Sequence, residues 1–181
     1  MKQEIRNARK VLKDGGVILY PTDTIWGIGC DARNNIAIKK ILRIKKRPEI
    51  KSLICLVSDK DMLKSLNATV PKIKITQNPT TIIYSDVQGV SKLLVSETDN
   101  STAIRIPLDK FCHDLIKEFG GPITSTSANL SGNPFPKQFS DINNEIIDNV
   151  DYIVNLRKRE VMTTPSKILK VDKIGNIIKI R

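Results

Sequence analysis

At 181 residues the chain is the size of one domain, which typically buries about 70 % of the surface its unfolded form exposes. Hydrophobic residues make up 40 % and aromatics only 4 %, so Ile, Leu and Val must fill the core, and no apolar run approaches the roughly 18 residues of a membrane span. The net charge of +11 is concentrated in residues 39–51 and 157–181, each with a surplus of +6, the placement a polyanion-binding surface requires.

The first segment, residues 2–13, has Ile5, Ala8, Val11 and Leu12 at helical spacing, and Gly15-Gly16 supply a stop. Val17–Tyr20 reads as a buried strand ended by Pro21. A second helix is predicted from about Asn35 to Lys46, with Ile38, Ile41, Leu42 and Lys45 near one face and Pro48 beyond its end. Leu53–Val57 is a strand, and Asp59 is placed to cap a short helix over residues 60–66. Strands are predicted at Thr81–Tyr84 and Thr102–Ile106. A helix follows over Leu108–Phe119, its apolar face formed by Leu108, Phe111, Leu115 and Phe119, with Gly120-Gly121 as its stop. Pro122–Thr126 runs as a strand into a polar loop, and strands at 152–156, 167–171 and 177–180 complete the chain. Helices and strands intersperse without strict alternation, so the expected fold is α/β (α+β), a single domain over 1–181 built on a mixed sheet.

Three cysteines, Cys30, Cys55 and Cys112, form no C-x-x-C, no zinc spacing and no disulfide framework. The start, MKQEIRNARKVL, is charged throughout, unlike a signal peptide. A cytoplasmic location without membrane attachment is the expectation.

Gly27–Ala32 formally matches the dinucleotide fingerprint G-x-G-x-x-A, but six residues separate its first glycine from the preceding strand, where the fingerprint needs the turn to follow directly. There is no G-x-x-x-x-G-K-[ST]. The single histidine, His113, sits on a helix beside Cys112 and reads as a boundary side chain, which argues against Ser-His or Cys-His catalysis. Carboxylates are scarce near the polar segments, so no metal ligands are identified.

Three segments carry the chemistry. Tyr20–Cys30 (YPTDTIWGIGC) is a strand ending in a hydroxyl-bearing proline turn. Lys45–Leu53 (KKRPEIKSL) is a basic exit from a helix, and Ser125–Gly132 (STSANLSG) is dense in hydroxyls and amides. If they converge, they hold a small polar metabolite beside a polyphosphate.

These segments resemble the YrdC-like threonylcarbamoyl-AMP synthases. The family pattern is Tyr-Pro-Thr-[Asp/Glu]-Thr, an aromatic and Gly-x-Gly. Lys-x-Arg-Pro follows with a Lys four residues after the Arg. A strand of the type Ala103-Ile104-Arg105-Ile106-Pro107 then leads to Ser-Ala-Asn-x-Ser-Gly. The resemblance covers residues 2 to about 136 and continues more weakly to the end. It implies a twisted mixed sheet with flanking helices and a basic concave active-site surface. The implied reaction is that of an L-threonylcarbamoyladenylate synthase, a nucleotidyltransferase, serving threonylcarbamoyladenosine modification of tRNA. Threonine and bicarbonate or CO2 form a carbamate, which attacks the ATP α-phosphate and releases pyrophosphate. A carbamate is already an anionic nucleophile, so no histidine base is required, and the need is for Lys, Arg and Mg2+ to neutralise phosphate charge.

By matched position, the resemblance implies Lys45 and Arg47 as the catalytic cations, meeting the ATP phosphates together with Lys51. Ser101, Ser127, Asn129 and Arg181 would complete the ATP site. Thr24, Ser125, Ser166 and the backbone at Leu56 would hold threonine, with Arg105 paired to its carboxylate. Implied partners are ATP, L-threonine, bicarbonate, a separate threonylcarbamoyl transferase complex and, weakly, tRNA. Where many members have Trp-Pro-Gly-Pro-x-Thr, this chain has Thr76–Thr81 (TQNPTT). That departure keeps a paralogue with another substrate as an alternative. A non-catalytic RNA-binding module is the other, and the scarcity of aromatics for base stacking speaks against it.

Overall fold

The computed structural model describes residues 1–47, 53–68, 78–172 and 176–180. Helix α1 spans Lys2–Lys13 and buries Ile5, Ala8 and Leu12, with Glu4 in its first turn and Lys10 and Lys13 in its last, as the helix dipole favours. Strands β1 (Ile18–Pro21) and β2 (Trp26–Gly29) form a hairpin. Strand β2 is absent from the sequence-based expectations, which treat Trp26–Gly29 as part of a turn.

Helix α2 (Asn35–Ile44) starts on Asn34, whose side chain accepts from the backbone N–H of Ile36 and Ala37. It ends in a Schellman closure. Arg47 N donates to Leu42 O at 2.9 Å and Lys46 N to Arg43 O at 3.0 Å, with Lys46 in the left-handed region at φ 51°. Strand β3 (Ile54–Leu56) precedes α3 (Lys60–Ser65), which Asp59 caps as expected. Strands β4 (Thr80–Ser85) and β5 (Ser101–Arg105) follow. Helix α4 (Lys110–Phe119) begins on Asp109, so Leu108, expected on its apolar face, lies outside it and is exposed. Gly120, in the left-handed conformation, ends that helix. Strand β6 (Ile123–Ser127), a short α5 (Asn144–Ile147), β7 (Tyr152–Ile153), β8 (Lys167–Val171) and β9 (Ile177–Lys179) complete the described chain. No helix among the described residues is long and apolar enough to cross a membrane.

The nine strands among the described residues lie in the order β7-β1-β2-β6-β3-β5-β4-β8-β9. Neighbours are parallel at β7–β1, β3–β5 and β4–β8 and antiparallel elsewhere, the mixed sheet expected. Because side chains alternate along a strand, each face collects one parity of residues. On one face α2 packs over β2, in a buried cluster that runs on through Leu19, Ile28, Cys55, Ile104 and Ile82. On the other, α1 and α4 pack together over Ile18 and Tyr20 of β1, Leu56 of β3 and Ile123 of β6. That helix pair covers only part of its face. The same parity continues past it through Ile54, Ser125, Ser127, Arg105, Ala103 and Thr81, and there the sheet lies open.

Candidate active site

The uncovered half of the face is the floor of a cavity of about 1110 Å3. From β5 come Ser101, Ala103 and Arg105, from β4 Thr81 and Ile83, and from β6 Ser125, Thr126 and Ser127. The turn between β1 and β2 adds Thr22, Thr24 and Ile25. Ser166 and Ile168 close the β8 side, and the Lys92–Thr98 loop forms a rim.

A row of polar groups crosses this floor. Ser166 Oγ and Thr81 Oγ1 hydrogen-bond at 2.8 Å, and Thr81 is the register partner of Arg105 on β5. Arg105 Nη1 donates to Thr24 Oγ1 at 3.2 Å, and Thr24 Oγ1 lies 2.9 Å from Thr22 Oγ1. Thr22 Oγ1 donates to Ile25 O at 2.8 Å, so in the pair with Thr22 the proton comes from Thr24. The Thr24 hydroxyl therefore donates to Thr22 and accepts from Arg105, which fixes its orientation. The turn is held by its own hydroxyl, since Thr22 Oγ1 also accepts from Thr24 N at 3.0 Å.

Arg105 is buried, its side chain only 3 % exposed, with the 7 %-exposed Asp23 as its counter-charge. Nη2 lies 3.3 Å from Asp23 Oδ1, but Arg105 Nε and Asp23 Oδ1 are both without a hydrogen-bond partner. The other carboxylate oxygen of Asp23 accepts from Leu108 N at 3.0 Å. A buried N–H left without an acceptor costs about 1–3 kcal/mol, so Nε is a donor with capacity for an incoming anion.

Gly27 keeps the floor open beside Ser125. A Cβ there would stand 3.0 Å from Ser125 Oγ. Gly29, two residues on along β2, is filled from above by Tyr20, whose hydroxyl donates to Thr124 O at 3.0 Å and whose pKa burial pushes far up. Cys30, Cys55 and Cys112 are buried with thiol pKa values raised by burial, to about 12 for the first two, so none is a ready nucleophile.

Of the residues singled out in the sequence, Thr24, Ser101, Arg105, Ser125, Ser127 and Ser166 line the cavity. Leu56 is buried beside it as the register partner of Arg105 on β3. Ser101 is tied to the rim, its hydroxyl donating to Asp99 Oδ1 at 2.6 Å, and Lys170 donates to the same carboxylate and holds its pKa far down. Asn129 and Arg47 lie off the lining. Lys45 departs most from expectation. Its ammonium does not line the cavity but donates to the backbone carbonyls of Ser127 and Asn129, the latter at 2.6 Å. Burial, then the charge of Arg47, lowers its pKa to about 8. Lys51, Arg181 and residues 76–77 of the divergent segment lie outside the described residues. Sequence reasoning passed over Thr22, Asp23 and Thr81. The Thr-x-Thr spacing of Thr22 and Thr24, and the alternation that places Thr81 opposite Arg105, are the signals that point to them.

Residues 10–181 match the model of the Sua5/YciO/YrdC family, described as telomere recombination. A threonylcarbamoyl-AMP synthase of Idiomarina loihiensis is 33 % identical over 148 residues, covering 77 % of this chain and 79 % of that protein. A putative threonylcarbamoyl-AMP synthase of Methanocaldococcus jannaschii is 31 % identical across 99 % of this chain and 86 % of its own length. The crystal structure of P. abyssi Sua5 complexed with L-threonine superposes with a TM-score of 0.82 at 23 % identity. It matches 94 % of this chain and 52 % of the Sua5 chain, a likeness of fold to about half of that protein. The motif order, the sheet and a family match that leaves out only the first nine residues agree, and the chain belongs to the Sua5/YciO/YrdC family.

Proposed function

We propose that this chain is an L-threonylcarbamoyladenylate synthase, forming threonylcarbamoyl-AMP and pyrophosphate from L-threonine, bicarbonate or CO2, and ATP, for threonylcarbamoyladenosine modification of tRNA. The names of its curated relatives support this reading. The observation that carries it is the buried Arg105, with its unpartnered Nε–H, on a cavity floor ringed by the hydroxyls of Thr24, Ser125, Thr81 and Ser166. A guanidinium with a spare donor suits a carboxylate, and surrounding hydroxyls suit a small amino acid with a hydroxyl of its own.

In this reading the threonine carboxylate meets Arg105, leaving its amine toward the open cavity. The amine nitrogen bonds to the carbon of CO2 and loses a proton to solvent. A carbamate oxygen then bonds to the ATP α-phosphorus as the bond to the β-phosphate oxygen breaks, and pyrophosphate leaves. The cavity has room for both substrates, and holding them together removes much of the entropic barrier. Ser127, Ser101, Asn129, Arg47, Lys51 and Arg181 are the groups proposed for the nucleotide. Among the described residues no cluster of three His, Cys, Asp or Glu is placed to hold a metal ion. Mg2+ would therefore enter on the phosphates of ATP rather than sit in a protein cage. The labile product would pass to a separate transferase.

The test is pyrophosphate release from ATP with threonine and bicarbonate supplied together and each withheld. Release requiring both, with threonylcarbamoyl-AMP recovered, supports the reading. Release indifferent to threonine would sink it.

A further inference from the structure

Lys45 occupies an unusual position for a residue expected at a polyphosphate. It is the C-cap of α2, and the Schellman closure at Lys46 and Arg47 turns the chain so that its side chain runs inward, 2 % exposed. The ammonium donates to Ser127 O and Asn129 O, and the backbone carbonyl of Lys45 accepts from Ser131 N at 2.9 Å. One residue thus grips alternate positions of the Ser127–Ser131 loop at three points. The loop is also held by the buried side chains of Ala128 and Leu130 and by Asn129 N, which donates to Ser127 O at 2.9 Å. Ala128 N donates to Trp26 O at 3.0 Å, and Asn129 Nδ2 donates to Leu130 O and Asn133 O within the loop itself. Asn129 Oδ1 is buried and accepts nothing.

Two of three ammonium protons are therefore spent on carbonyls, and among the described residues no carboxylate pairs with the ammonium. Burying a lone ammonium is costly. Here the compensation comes from two carbonyl dipoles belonging to the hydroxyl-and-amide loop. We infer that Lys45 is a positioning residue that fixes the Ser127–Ser131 loop, so that the Ser127 hydroxyl on the cavity lining is presented to the nucleotide, and that it is not a phosphate ligand. This rests on the assignment of Ser127 to the nucleotide in the proposed function. Arg47, two residues on and only partly buried, remains the cation at the helix exit for phosphate.

Two variants test this, Lys45→Met, which removes the donors, and Lys45→Gln, which keeps an N–H donor without the charge. Amide hydrogen exchange at Ala128, Asn129 and Ser131 is read in the ligand-free protein, and dissociation constants are read for adenosine, AMP and ATP. Lys45→Met is expected to speed exchange at these amides and to weaken all three ligands by the same factor, about tenfold for the loss of charge-assisted hydrogen bonds. Lys45→Gln is expected to do less of both. A loss that grows from adenosine to ATP would identify a phosphate contact and overturn the inference, as would unchanged amide exchange in Lys45→Met. If Lys45→Met does not fold, Lys45→Gln decides on the same two readouts. A wild-type protein that binds no adenine nucleotide would refute the synthase reading instead, and the exchange result would still show whether Lys45 holds the loop.

Discussion

The Nη1 of Arg105 donates to the hydroxyl of Thr24 across 3.2 Å, joining a strand end to a turn 81 residues earlier in the chain. The same guanidinium faces Asp23 with its buried Nε–H unpartnered, so its charge, its fork and its burial have separable consequences. Arg105→Lys keeps the charge but cannot serve Asp23, Thr24 and a carboxylate together. It should fold and raise the KM for threonine by about tenfold or more, with a smaller effect on kcat. Arg105→Met strands the buried Asp23 carboxylate and should lose about 3–5 kcal/mol of stability by urea denaturation. An unaltered KM in Arg105→Lys would remove Arg105 from the threonine site.

The two glycines of β2 should respond differently to a methyl group. At Gly29 a Cβ would lie 2.1 Å from Thr124 O, a backbone atom that cannot move without breaking the sheet. At Gly27 the nearest atom is the Ser125 hydroxyl at 3.0 Å, which can rotate away. Gly29→Ala should therefore fail to give soluble folded protein. Gly27→Ala should fold and melt roughly 2–12 °C below wild type, a change of about 1–3 kcal/mol, yet bind threonine more weakly because Ser125 is displaced. Calorimetric titration with threonine beside thermal melting separates the two outcomes.

Lys45 should leave a signature in stability against pH. Its pKa falls from the usual 10.5 to about 8 in the folded protein, through burial and the charge of Arg47. Between those values the unfolded chain holds more protons than the folded one, so stability rises with pH. Below about 8 the cost of burying the charge is fully present, and above it that cost is progressively relieved. Wild type should gain stability relative to Lys45→Gln as pH climbs from 8 toward 10.5, followed by urea midpoints at several pH values. A constant difference across that window would mean that the carbonyl contacts fully offset the burial.

Most helices and strands were legible because their apolar spacing and caps are local signals. Asn34, Asp59 and Asp109 each accept from the backbone N–H groups of the helix that follows. Strand β2 was not, because Gly27-Ile28-Gly29 has poor strand propensity and pairs only through contacts with β1 and β6. The same close packing that demands glycine there hides the strand. Within the site, the residue types were legible and their partners were not. The carbonyls that hold Lys45 lie 82 and 84 residues away, and nothing local to the KKRPE segment announces them. Thr81, in a segment that departs from the family pattern, joins the site only because β4 pairs in register with β5.

The helices α1 and α4 contribute nothing to the cavity wall, although they share a sheet face with it. Substitutions in that pair should change how long the molecule survives heating without changing what it accepts. Along α1 and α4, resistance to denaturation is thus open to selection without disturbing the choice of substrate.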